Sequence, residues 1–191
     1  MHFQSVIILV VLCGVFESNQ SRPDCPRILY KADWGGRAAK GVEHTIIPVK
    51  YVIIHHTVTP SCSTEEICSD LVTNIQNYHM DELNWHDIGY NFLIGGDGNV
   101  YEGAGWHRIG AHTYGYNSKS LGLAFIGTYT SKLPNEKQLE AAKKLISCGV
   151  EKGELAQKYK LLGGRTVSAT QSPGLKLFQE IKHWKGFTIN P

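Results

Sequence analysis

The sequence runs to 191 residues, enough for one domain with a substantial core and with no need of a second. Apolar residues make up 42%, charged residues 19%, and the formal net charge is +2, which argues against a disordered chain and a nucleic-acid partner. The same small charge, with no basic amphipathic helix, sets aside a purely cationic antibacterial protein.

The chain opens on an apolar run from Val6 to Phe16, too short to span a bilayer and placed where a secretory leader carries its hydrophobic segment. Residues 1–20 therefore read as a signal peptide, cut somewhere between Gly14 and Arg22, with an N-terminal membrane anchor as the alternative. Removing it takes Cys13 and leaves Cys25, Cys62, Cys68 and Cys148, an even set for an oxidising, extracellular compartment. Four cysteines allow three pairings. The short step from Cys62 to Cys68 favours a local bridge, which leaves Cys25 for Cys148. A glycosylation sequon at Asn19-Gln20-Ser21 falls within the stretch where the cut is expected, so its use depends on where the cut lies.

No repeat or linker divides the rest, so residues 25–191 are expected to form one domain. Lys50 to His56 is a β-branched apolar run and predicts a buried strand ending in two histidines. Ser63-Thr-Glu-Glu66 has the spacing of a capping box before Ile67, Leu71, Ile75 and Tyr78, a stripe at helical period. Asn91–Gly95 and Asn99–Glu102, joined through Gly96-Asp97-Gly98, predict a hairpin. Leu121–Gly127 predicts another buried strand. Helices are expected from Pro134 to about Glu151, which carries Cys148, and from about Gly174 to His183. Strands interleaved with helices imply an α/β class, a central sheet with helices on its faces.

Nine histidines are many for this length, and His55, His56, His79, His86 and His112 fall in the strand and loop regions just described. Singly, each is more often a hydrogen-bonded surface or core residue than a metal ligand. Their context raises the functional reading. The segments YVIIHHT (51–57), HDIGYNFLIGGDGNVYEGAGW (86–106), GAHTYGYN (110–117) and VSATQSPG (167–174) resemble the peptidoglycan recognition proteins, over nearly the whole mature chain. The resemblance implies the mixed-sheet fold of the zinc N-acetylmuramoyl-L-alanine amidases.

In catalytic members of that family a zinc is held by the first His of the HHT motif, a His before the VSAT segment and a Cys before its Pro-Gly. His55 matches the first of these, whereas the second position is Gly164 and the third Ser172. Glycine has no ligand atom, and a hydroxyl is a far poorer zinc ligand than a thiolate. The resemblance therefore implies recognition without hydrolysis and no cofactor. An active enzyme is the alternative, either a zinc amidase with substitute ligands or a peptidase using Ser172 beside His55 or His56.

By the same resemblance the ligand-contacting residues are His55, His56, Thr57, His79, Asn84, Trp85, Tyr90, Trp106, His112, Tyr114, Asn117 and Ser172. Tyr90 occupies the position of the family's catalytic tyrosine. Family members that read lysine-type stems resemble Asn-Phe at positions 84 and 85, and diaminopimelate readers Gly-Trp; this chain has Asn84-Trp85. The arginine that diaminopimelate readers often carry in the YEGRGW motif is Ala104, so the expectation leans to lysine-type peptidoglycan. The C-terminal run is similar to that of the short secreted insect members upstream of the Toll pathway. That similarity implies partners: a glucan-binding-type protein and a modular serine protease.

Overall fold

The computed structural model describes residues 24–191; the expected leader, Cys13 and the sequon lie outside them. Six strands form one sheet in the order β1-β4-β3-β5-β2-β6. They are β1 (Ile28–Leu29), β2 (Val49–His56), β3 (Phe92–Ile94), β4 (Val100–Glu102), β5 (Ser120–Phe125) and β6 (Leu155–Gly163). Only the β3–β4 pair is antiparallel, so the sheet is mixed and parallel through its centre.

Helices α1 (Lys31–Trp34) and α2 (Glu65–Asn77) lie with one core, and α3 (Glu136–Glu151) and α4 (Leu175–Ile181) with the other. The side-chain alternation of the strands separates the two cores. Val52 and Ile54 of β2, with Leu121, Leu123 and Phe125 of β5, pack with Ala142, Leu145, Ile146, Leu177 and Ile181. Leu93, Tyr101, Ala124 and Ile126 pack with Trp34, Cys68 and Val72. His55, one residue after Ile54 and paired with Ala124, therefore points to the α2 side.

Both expected disulfides form, Cys25–Cys148 and Cys62–Cys68. The first fastens the N-terminal arm to α3, the second the β2–α2 loop to the first turn of α2.

The expected elements are found, with three differences. The N-cap of α2 is Thr64, not Ser63, and its hydroxyl accepts from the Ile67 amide at 3.3 Å; the third helical residue is then Ile67, which cannot close a capping box. Packing against the sheet turns Cys68, Val72 and Gln76 of α2 inward, all fully buried. The Ile67, Leu71, Ile75 and Tyr78 stripe is left on the flank, with Ile67 and Tyr78 exposed.

Second, β6 has no strong signal in the sequence. Its run Leu155-Ala-Gln-Lys-Tyr-Lys alternates only partly, because the register against β2 shifts between Val49 and Tyr51. Third, α2 continues as a single turn of π-helix, Tyr78–Glu82, with His79 and Met80 buried in it. Such wide turns often mark functional sites.

Val58, just after β2, adopts φ +58°, a left-handed conformation in which a β-branched side chain is strained. The side chain is 67% exposed, so little packing is lost by replacing it. Val58→Asn is expected to raise unfolding stability by about 1 kcal/mol in urea titration, since asparagine tolerates this region.

Candidate functional site

His55 and His56 end β2, the loop carrying Thr113 precedes β5, and Gly164 follows directly on β6. Grooves of open α/β sheets form beyond the carboxyl ends of parallel strands, where the connections diverge. Here four side chains meet in a hydrogen-bonded series. Ser172 Oγ lies 3.2 Å from His55 Nδ1, His55 Nε2 lies 3.0 Å from Thr113 Oγ1, and Thr113 Oγ1 lies 3.0 Å from His112 Nδ1.

The His56 amide donates to Ser172 Oγ at 3.1 Å. The series can run in either sense, from Ser172 through His55 and Thr113 to His112 or the reverse, since each hydroxyl both donates and accepts and each neutral ring carries one N–H. Every ring in the series is neutral, and His112 keeps its Nε2 buried without a partner.

Burial enforces that neutrality. It lowers His55 to about 4, helped by the neighbouring His56, and lowers His112 well below its ordinary value, helped by His55. Burial also lowers His56, and lowers His79 to about 4 against an opposing pull from Asp87. The Tyr90 hydroxyl is pushed up to about 12 by burial and stays protonated. His56 Nδ1 accepts from the Tyr129 amide at 3.1 Å and His79 Nδ1 from the Gly89 amide at 3.0 Å, which places both ring protons on Nε2.

Gly122 makes room for this cluster. A Cβ there would lie 2.3 Å from the His112 ring, so no larger residue fits at that point of β5 without moving the histidine. Gly164 stands in the same relation to His55, its Cβ position 2.7 Å from Cε1 and 2.8 Å from Nδ1, and 3.4 Å from the Ser172 carbonyl oxygen. Positions 55, 164 and 172 thus converge on one point.

The rings continue outward, with His55 and Tyr90 centroids 5.8 Å apart, Tyr90 and His79 5.8 Å, and His79 and Trp85 4.7 Å. Two cavities flank this aromatic line. One, of about 380 Å³, is lined by Thr57, Thr59, Leu71, Asn74, Ile75, Tyr78, His79 and Tyr90. Leu71, Ile75 and Tyr78 of the α2 stripe form part of its wall. The other, of about 310 Å³, includes Asn84, Trp85, Asp87, Ala104, Arg108 and Glu43 in its lining. Together they make an elongated groove with an apolar, aromatic surface and a few polar groups.

The expected site residues divide accordingly. His55, His56, His79, Tyr90, His112 and Ser172 come together, and Thr57, Asn84 and Trp85 line the adjoining cavities. Tyr114 stands 97% exposed on the loop beside His112. Asn117 serves that loop from within, its Oδ1 accepting from the Thr113 amide at 2.7 Å.

Trp106 is not brought to this cluster. It packs on Phe92 at 4.7 Å against the opposite core, where a Cβ on Gly149 of α3 would touch it, behind the sheet from His55. The hairpin returns on that side, and a large aromatic there fills the gap beside α3. His86 also stands apart from the buried cluster, exposed on the wall of the second cavity.

Thr113, Tyr78 and Arg108 belong to the site without having been singled out from sequence. Thr113 lies inside the GAHTYGYN segment, whereas only the fold brings the other two to the groove. Asn84 has φ +55°, a region that asparagine and glycine adopt with least strain. The Asn-or-Gly alternative at this position thus has a backbone reason, independent of any ligand.

A mixed sheet with this groove at its carboxyl edge defines an amidase-type domain, and residues 46–175 match the family described as N-acetylmuramoyl-L-alanine amidase, Amidase_2. Peptidoglycan-recognition protein 2 of Holotrichia diomphalia is 56% identical over 183 residues, covering 96% of this chain and 98% of that one. The solved structure of Drosophila peptidoglycan recognition protein SA superposes with a TM-score of 0.86 at 51% identity, covering 87% and 96% of the two chains. Peptidoglycan recognition protein LE, solved in complex with tracheal cytotoxin, a monomeric diaminopimelic acid-type peptidoglycan, superposes with a TM-score of 0.84 at 39% identity, covering 85% and 96%. The chain belongs to the peptidoglycan-recognition proteins. Among the described residues no helix is long and apolar enough to cross a membrane.

Proposed function

We propose that this is a secreted immune receptor that binds bacterial peptidoglycan in the groove and does not hydrolyse it. The observation that carries the reading is the convergence of His55, Gly164 and Ser172. The zinc that the family implies needs three protein ligands and an open position for water. These three positions offer one imidazole and one hydroxyl, and both ring nitrogens of His55 are already hydrogen-bonded, so the donor set does not fit a hydrolytic zinc. Neutral imidazoles, amides and aromatic faces, by contrast, suit hydroxyls, amides and sugar rings without a metal. The names of its relatives, and the peptidoglycan fragment held by the LE structure, support the same ligand class.

The finer parts of the reading are a leader at residues 1–20, export to the extracellular space, and a single recognition domain at 25–191. A lysine-type lean rests on Ala104, which puts no cation at that position. Signalling would run to a Toll-type proteolytic cascade through a glucan-binding-type protein and a modular serine protease, by likeness to the short insect members.

Secreted protein is expected to sediment with insoluble peptidoglycan, carry no stoichiometric zinc and release no new amino termini from the stem. Gly164→His with Ser172→Cys is expected to gain zinc. Stoichiometric zinc in the wild type, or cleavage at the muramyl amide, would make the protein an amidase and end the reading.

A second reading rests on the 3.2 Å approach of Ser172 Oγ to His55 Nδ1, a nucleophile beside a base. Against it, the other nitrogen of His55 meets the neutral Thr113 hydroxyl, where a hydrolytic triad has an orienting carboxylate or amide. Stem-peptide cleavage lost in Ser172→Ala, with peptidoglycan binding kept, would establish it.

A further inference from the structure

Another cavity, of about 400 Å³, lies on the far side of the sheet from His55, where α3 and α4 pack beside β6. Its walls are apolar: Ile146 and Val150 of α3, Tyr159 and Leu161 of β6, and Trp184 just past α4. The polar groups around it divide into spent and unspent. Glu180, the one carboxylate in the lining, accepts from Trp184 Nε1 at 2.9 Å and meets Lys143 Nζ at 3.6 Å. Lys143 in turn lies 5.0 Å from the centre of the Trp184 ring, so these side chains satisfy one another. The Tyr159 hydroxyl, the His183 ring and the Lys185 ammonium make no side-chain hydrogen bond or ion pair among the described residues. Burial raises the Tyr159 hydroxyl above its ordinary value, so it stays protonated and can donate. The cavity is left with free donors and no free carboxylate.

We infer that this cavity is a binding site for an amphiphilic carboxylate, a single acyl chain in the apolar slot with its anionic head at Tyr159 and Lys185. Each part of that ligand answers to an observation. A volume of about 400 Å³ lies at the low end for small-molecule sites, which suits one short chain and not a two-chain lipid. Seating the chain against Val150 and Trp184 takes apolar surface out of water. An anionic head meets a hydroxyl donor and an ammonium, whereas a cationic head would meet Lys185 with no free carboxylate to balance it. The surroundings carry the same sign, since Lys158 and Lys160 of β6 and Lys182 after α4 are exposed and draw anions toward this face. The site shares no lining residue with either cavity of the groove, so it stands apart from peptidoglycan binding.

The test is titration calorimetry of the secreted protein with decanoate, decyl maltoside and decyltrimethylammonium, each below its micelle-forming concentration. Wild type is expected to bind decanoate saturably, and the uncharged and cationic probes at least about tenfold more weakly. Lys185→Gln is expected to weaken decanoate about threefold, an effect that shrinks in high salt because this ammonium is exposed. Tyr159→Phe, which removes a hydroxyl that no protein group uses, is expected to weaken it about tenfold. Ser147→Trp, at an exposed position on the cavity wall, is expected to fill the slot and abolish binding. Peptidoglycan sedimentation and melting temperature should be unchanged in all these variants, which separates the site from the groove and from a folding defect. Decanoate that does not bind, that binds no better than decyl maltoside, or that binds Ser147→Trp as it binds wild type would overturn the inference. Binding of an acidic peptide in place of decanoate would overturn it too, and give the cavity to a protein segment.

Discussion

Lowering the pH from 7 to 4 is expected to remove several kcal/mol of stability, and the loss should fall within one window. An unfolded histidine titrates near 6.5, whereas His55 and His79 in the folded chain do so at about 4 and His112 well below 6.5. Above pH 6.5 neither state carries the extra proton and the contribution is complete. As the pH falls from 6.5 toward 4, the unfolded rings bind protons that the folded rings refuse, so stability drops through that interval. At about 1.4 kcal/mol per pH unit, His55 alone accounts for about 3 kcal/mol. Glu102 acts in the opposite sense, because burial raises its carboxyl and the folded state then takes up its proton more readily in acid. Urea unfolding at pH 7, 6, 5 and 4 measures the sum. His55→Gln, which keeps a hydrogen-bonding amide and cannot titrate, should flatten the slope; a stability unchanged from pH 7 to 4 would contradict the neutral cluster.

The second large effect concerns the arm at the N-terminus of the domain. Cys25–Cys148 closes a loop with a sequence separation of 123, and Cys62–Cys68 one of 6. In the chain-entropy account the long loop contributes roughly 4 to 5 kcal/mol and the short one about 2 kcal/mol. Replacing Cys25 and Cys148 by serine should therefore lower the melting temperature about twice as far as replacing Cys62 and Cys68. The two pairs also differ in what they hold. The long bridge anchors the arm leading into β1 and α1, whereas the short one sets the loop between His56 and α2, on the groove side. Loss of the short bridge should thus reduce peptidoglycan retention more than its stability cost implies, while loss of the long one should cost stability first. Equal melting shifts for the two pairs would count against the loop-length account.

Much of the site was legible because its motifs are contiguous. His55 and His56 sit at the end of a β-branched run that can only be a buried strand. Tyr90 and His112 lie in segments long enough to mark a family, and the substitutions at positions 164 and 172 are visible as letters. The two disulfides followed from one short cysteine spacing. Trp106 shows the limit of such reading: it lies in a family segment, yet it follows β4 in a stretch without strand alternation, so only the fold decides which side of the sheet it meets. The capping of α2 is similar. Two neighbouring hydroxyl residues could each cap the helix, and which of its faces meets the sheet is settled by packing: Cys68, Val72 and Gln76 are buried while Leu71, Ile75 and Tyr78 line the cavity.

What the sequence by itself determined is the family, the order of the main elements, a preference for the local Cys62–Cys68 bridge and the strand that ends in His55 and His56, since each is carried by local pattern or by a motif read along the chain. Tertiary structure decided how the buried histidines are protonated, because a proton's position depends on donors far away in sequence: the Tyr129 amide for His56 and the Gly89 amide for His79. It decided too which charges remain available to a ligand. Asp87 is occupied by Lys31, Gln76 and its own neighbour's amide, and Lys185 is left to face the cavity behind the sheet, a difference that pairing across the fold creates and no stretch of chain contains.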